Sequence, residues 1–245
     1  MSFLLISLIV LQVSWIQLFC LIVIVGHLQK QNKMATQVTK INSYLTKILL
    51  VCGIISGPLF IAVVLTQFFT RAGADIHRLP LSLLSLGDLG WIQIANFIIT
   101  GLLALACAIG IRRVLAGGKV ETWGPLLVST YGLGLILAGI FHPDPGYGFP
   151  LGAPAGASPT ISSHAMVHNL GFLIVVLSLI SASFVFARGF KSRGMKEWAT
   201  YSNLTGIVAL VLLVVGFATY TIMAITLMGF IAFGWVSMIA GRLNA

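Results

Sequence analysis

Acidic residues are nearly missing from this chain: five Asp and Glu stand among 245 residues, and all charged types together make up 8%. A soluble globular domain carries about a quarter charged residues. A chain so poor in charge cannot clothe its surface in polar groups, which excludes an ordinary soluble fold. Cysteine is scarce as well. Cys20, Cys52 and Cys107 all lie in apolar segments and no pair has C-x-x-C spacing. Neither a disulfide framework nor a zinc or redox motif is implied, and the three read as small buried hydrophobes. There is no P-loop, dinucleotide fingerprint or G-x-S-x-G elbow. No ionisable residue stands in the middle of an apolar segment, which disfavours ion pumps and proton-coupled transporters.

What the chain has in abundance is apolar length: 58% of its residues are hydrophobic. A membrane span needs about 20 such residues in a row. Seven segments qualify, at Phe3–Val25, Ile48–Phe69, Trp91–Ile111, Gly124–Phe141, Ala165–Ala187, Tyr201–Phe217 and Ile222–Ala240. The expected fold is therefore all-α, a polytopic transmembrane bundle of six core spans plus an extra N-terminal one. Leu204–Ala240 carries no charge and is too long for one span, so we expect a tight turn near Gly216–Thr221, with a re-entrant or strongly tilted helix as the alternative. The positions Val38, Ile41, Leu45 and Ile48 recur at helical spacing, either as a short interfacial helix or as the early turns of the next span. Gly57-Pro58 should loosen the second span. Gly101, Gly110, Gly132, Gly134 and Gly139 should let helices approach closely.

The net charge of +9 forms no continuous stripe, which argues against a nucleic-acid partner. The basic residues instead fall in alternate gaps between spans. Lys30, Lys33, Lys40, Lys47, Arg112, Arg113, Lys119, Arg188, Lys191, Arg193, Lys196 and Arg242 share one face, and Arg71 and Arg78 take the other. Positive-inside bias places the larger group, and the C-terminus, in the cytoplasm. Trp91, Trp123 and Trp198 mark span ends, as interfacial aromatics do. The first segment has no signal-peptide layout. Met34 follows it, so residues 1–33 are either an extra span or lie upstream of the true start. Residues 34–245 then form a six-helix membrane domain with the lipid bilayer as its partner. Nothing in the sequence specifies a helix partner.

All three Asp residues and four of the five His residues fall on the non-cytoplasmic side. The 70–90 loop carries Arg71, Asp75, His77, Arg78 and Asp88. The 142–164 loop is rich in Pro and Gly and holds His142 and Asp144. Its restricted backbone suits an ordered cap over the helix ends, or else a solvated connector. Asp144 has no basic neighbour in its own loop, so Arg71 or Arg78 is its expected partner. Either arginine could instead hold a phosphate or carboxylate through the guanidinium fork, and Arg71 could simply anchor a span end. His164 and His168, one helical turn apart, have the spacing to share a metal ion with His142 or Asp144. Without the Glu of H-E-x-x-H that motif is weak, and two interfacial histidines bonded to water and carbonyls are the alternative. Ser162 or Ser163 is placed to cap the helix that follows.

Over Ile48–Gly189 the chain resembles the domain-of-unknown-function 998 family of multi-pass membrane proteins. The resemblance rests on Gly57-Pro58-Leu59-Phe60, on His77-Arg78-Leu-Pro-Leu-Ser82, on Leu86-Gly87 and on Gly90-Trp91-Ile92-Gln93-Ile94-Ala95-Asn96-Phe97. It continues through Gly139-Ile-Phe141-His142-Pro143-Asp144-Pro145, then His164 and His168. It implies about six helices, a prokaryotic source and no established activity, so no catalytic residue can be carried over. The N-terminal segment and the short last connection depart from the family pattern.

Three functional readings follow. The first is an outward site, formed by Arg71, Asp75, His77, Arg78, Asp88 and Asp144 with the His164/His168 helix end, that binds a lipid head group or small polar ligand. The second is a metal-dependent hydrolase. His164, His168 and either His142 or Asp144 would hold zinc to activate water, and Asp75 or Asp88 would act as base. Alkaline ceramidase-type enzymes share only its mix of residue types. The third is a structural subunit.

Overall fold

The computed structural model describes residues 37, 39–115 and 119–245. The expected first span and the question of Met34 lie outside the described residues. Six helices among the described residues are long and apolar enough to cross a membrane. They are α1 (Thr39–Thr70), α2 (Gly90–Val114), α3 (Lys119–Ile140), α4 (Ser163–Ser192), α5 (Lys196–Thr219) and α6 (Ile222–Asn244). A short 3-10 helix, Leu81–Ser85, precedes α2. The protein is thus an all-α, multi-pass membrane protein.

α1 settles one alternative left by the sequence. Of the Val38–Ile48 stretch the described part, Thr39–Ile48, continues into the span as early helical turns, and the helix runs unbroken through Gly57-Pro58. The loosening expected there does not interrupt the helix, and α6 bonds to α1 at this point. The Ser237 hydroxyl of α6 accepts from the Gly57 N–H and donates to the Gly53 carbonyl, both at 3.1 Å. Those two groups are i and i+4 neighbours along α1, so a side chain of α6 reaches both ends of one rung of its ladder, and the Ser56 hydroxyl donates to the same Gly53 carbonyl at 2.8 Å. Small residues elsewhere bring backbones together. A Cβ on Gly101 would lie 2.6 Å from the Gly132 carbonyl oxygen, and one on Gly132 would lie 2.8 Å from that of Gly101. Gly134 and Gly171 repeat the arrangement between α3 and α4. Between Thr46 and Ala245, which form one compact unit, each helix packs on the next and α6 closes back on α1.

The expected tight turn is present. α5 ends at Thr219, Tyr220 adopts a left-handed conformation, and the Thr221 N–H reaches back to the Gly216 carbonyl at 3.0 Å. That turn and the 71–89 and 141–162 connections share one end of the bundle, here called the loop face. The end of α2, the start of α3, the 193–195 connection and the C-terminus share the opposite, basic face.

The two halves of the interior are filled differently. Toward the basic face Trp235 is fully buried, edge-on to Phe186 at 5.6 Å, with its indole N–H donated to Ser202 of α5 at 3.1 Å. Midway, Phe233 packs against Phe60 at 4.6 Å and Tyr131 at 5.3 Å. Nearer the loop face, the inner side of α6 includes three small residues in succession, Thr226, Gly229 and Ala232, beside Ile225 and Met228. Side chains that small cannot reach across the bundle.

Candidate functional site

That shortfall in volume leaves a cavity of about 110 Å³ among the helices in the half nearer the loop face. Phe60 and Phe97 line it from α1 and α2, and Leu135 and Ala138 from α3. From α4 it takes His168, Phe172, Val175, Val176, Leu179 and Ile180, from α5 Ala209, and from α6 Ile222, Ile225, Thr226, Met228, Gly229, Ala232 and Phe233. Pro80, Leu81 and Ser82 of the first loop close its upper end. The half-exposed lining residues are Pro80, Leu81, Ser82, Phe172, Ile222, Ile225 and Gly229, most of them toward that end. The deeper lining at Leu179, Met228 and Phe233 is buried. The eleven helical steps from Ile222 to Phe233 and the twelve from His168 to Ile180 make the cavity about 16–18 Å deep. That is more than half of a hydrocarbon core about 30 Å thick. Three lining side chains are polar: Ser82, His168 and Thr226.

Above the cavity the two loops are held by Arg71, one residue past the end of α1. Its guanidinium donates to the carbonyls of Leu84 and Leu86 in the first loop, and to Gln67 Oε1 at 3.3 Å. It also lies 4.9 Å from the centre of the Phe149 ring in the second loop. Burial pushes its pKa below the ordinary value, with Asp88 acting in the opposite direction. Gly87, at φ +74°, lies under the same group, and a Cβ there would meet Arg71 Nη2 at 3.3 Å. The second loop is internally ordered, with most of residues 151–164 exposed. Tyr147 and Gly148 donate to Gly156 and Pro154 at 2.7 and 2.8 Å, and Phe149 is buried.

The expected pairing of Arg71 or Arg78 with Asp144 is corrected by these contacts. Arg71 does join the loops, but through carbonyls and a ring, while Arg78 is exposed. Asp144 Oδ2 accepts the Ser162 N–H at 2.7 Å. Ser162 is the N-cap of α4, its hydroxyl accepting from the Ala165 N–H at 3.1 Å. A carboxylate at a helix N-terminus is favoured by the free N–H groups and the dipole. The hydrogen bonds from Ser162 hold Asp144 below the usual carboxylate range, with a smaller contribution from His164. Asp75 caps its own turn, Oδ1 accepting from the His77 N–H at 2.9 Å, and His77 is exposed.

The histidines divide. The rings of His142 and His164 stack at 5.3 Å. His168 is buried, and its Nδ1 lies 2.8 Å from the Phe141 carbonyl and 3.0 Å from that of Ala138. Among the described residues no three His, Cys, Asp or Glu side chains come together as a metal shell. Of the nine candidate residues read from the sequence, His168 lines the cavity and the other eight do not.

A buried polar seam escaped the sequence reading. Gln67 Nε2 donates to Gln93 Oε1 at 2.8 Å, and Asn96 Nδ2 to the same oxygen at 3.3 Å and to the Phe60 carbonyl at 3.2 Å. With Arg71 this forms a chain of polar groups descending from the loop face between α1 and α2. Its signal was Gln93 and Asn96, spaced three apart in an otherwise apolar helix, where such amides join helices.

Residues 54–242 match the model of the family described as "Protein of unknown function (DUF998)". No curated protein and no solved structure matches the chain.

Proposed function

We propose that this chain, which belongs to the DUF998 family, binds an amphiphile, with the aliphatic part in the cavity and the polar part at the loop face. The observation that carries this reading is the cavity itself, a deep and almost wholly apolar space in the half of a membrane bundle nearer its loop face. Binding sites of this kind are concave and mostly apolar, with few polar groups to orient the ligand. Positive-inside bias puts the basic face in the cytoplasm and the mouth of the cavity at the outer leaflet. Exposed Arg78, two residues before Pro80, is then available to an anionic head group. Arg71 and Asp144 serve a different purpose in this reading, holding the loops over the mouth.

Gly229 provides the test. It lines the cavity, and a Cβ built on it meets nothing within 4 Å. Gly229→Leu should therefore fill the space while leaving the helices in place. Native mass spectrometry of the protein extracted from membranes should show a bound lipid in the wild type, lost in the variant, with both unfolding at similar temperatures. Equal lipid retention by the two would rule the cavity out as the binding site.

A further inference from the structure

We infer that the cavity selects amphiphiles carrying a hydrogen-bond donor, a hydroxyl or amide N–H near the upper end of the chain, and that His168 Nε2 is the acceptor that reads it. This rests on the amphiphile reading above and adds the chemical class of the ligand.

Two groups face His168 Nδ1. Both are backbone carbonyls, at 2.8 and 3.0 Å, and a carbonyl can only accept. Nδ1 must therefore carry the proton and donate. In the uncharged ring, the form that costs less within an apolar wall, Nε2 then holds a lone pair. Nε2 has no hydrogen-bond partner among the described residues. With Nδ1 turned to α3, the ring edge left for the cavity is the one that includes Nε2. The ring cannot easily turn to present a donor instead, since both carbonyls would lose their partner and Phe97 packs against it edge-on at 6.3 Å.

The position of His168 fits a head group rather than a chain. It is the sixth residue of α4 and lies at the upper end of the lining, whereas Leu179, Ile180 and Phe233 lie far below. The other polar lining residues, Ser82 and Thr226, are hydroxyls that either donate or accept, so they do not discriminate. His168 is the directional group. An ether or ester oxygen opposite Nε2 sets two lone pairs against each other, while a hydroxyl closes a bond.

The test uses the full chain in lipid nanodiscs. A photoreactive diazirine alcohol labels the cavity, and dodecanol and dodecyl methyl ether compete with it. The wild type should favour the alcohol over the ether by roughly tenfold, the value of one hydrogen bond whose loss leaves a buried acceptor unpaired. His168→Phe should bind both with equal affinity. Because that variant also removes the donor to Phe141 and Ala138, His168→Gln serves as a second probe. Its amide can donate to the carbonyls and accept from the ligand, so the preference should return. Competition by both compounds without preference in the wild type would overturn the role of His168 while leaving amphiphile binding intact. So would a preference that survives His168→Phe. If neither compound competes, both this inference and the amphiphile reading fail.

Discussion

Replacing Arg71 should loosen both loops at once, by an amount its contacts allow us to calculate. The guanidinium donates to two carbonyls of the first loop and lies over Phe149 of the second. A hydrogen bond to a charged group contributes about 1.5–3 kcal/mol, and a cation–π contact at a partly exposed site about 0.5–1 kcal/mol. Arg71 is only half-buried, so water can reach some of the abandoned carbonyls and the lower values apply. Arg71→Met should therefore cost about 2–4 kcal/mol. Arg71→Lys keeps the charge but replaces a planar fork by a point donor, and should recover no more than about half of that. The assay is denaturant unfolding in detergent, paired with limited proteolysis of 71–89 and 141–162. Both loops should become cleavable together, although the substitution lies in only one. Unfolding of Arg71→Lys indistinguishable from wild type would refute the argument, since charge alone would then suffice. Cleavage confined to the first loop would refute the claim that Arg71 joins the two.

Three further outcomes are expected. Ser237→Ala removes the hydroxyl bonded to both Gly57 and Gly53 and should destabilise the protein by about 1–3 kcal/mol, measured by the same unfolding experiment; no change would mean that α1 closes its own ladder. Gly132→Ala should lose stability despite gaining about 1 kcal/mol of helix propensity, because the new Cβ would stand 2.8 Å from the Gly101 carbonyl, whereas Gly229→Ala should be neutral or stabilising. Asp144, with its folded pKa below the unfolded one, contributes stability that is present above the ordinary carboxylate pKa of about 4 and is lost as pH falls through the lowered value. Asp144→Asn should flatten the acid limb of the stability profile in that window, and an unchanged acid limb would show that the Ser162 contact contributes nothing.

Hydropathy marked the six described spans to within a few residues at most ends. The expected Trp91–Ile111 became Gly90–Val114, and the expected Ile222–Ala240 became Ile222–Asn244. α1 is the exception. It begins at Thr39 rather than Ile48, because its first turns are polar enough to fall outside a hydrophobic window yet still helical in pattern. Capping by Ser162 and the turn after Gly216 were also legible, since each depends on a few consecutive residues. The partners of Arg71 and Asp144 were not. Charge complementarity suggested that they would meet, but Asp144 found an N–H eighteen residues on and Arg71 found carbonyls and a ring. Backbone groups are written at every position of a sequence, so nothing in it marks which of them will be near.

Crossing a membrane is a local property: each run of about 20 residues must satisfy its own backbone and face lipid. For that reason the sequence alone determined the helical class, the described spans and the loops that carry the Asp and most His residues. A cavity is not local. It exists because the small Thr226, Gly229 and Ala232 of α6 share its lining with Val175 and Leu179 of α4, and its directional group, His168, is turned by the carbonyls of Ala138 in α3 and Phe141 just beyond it. Which faces of six helices meet is decided by close packing at glycines and by one serine bonded to another helix's ladder. Those contacts join residues far apart in the chain, and only the tertiary structure brings them together.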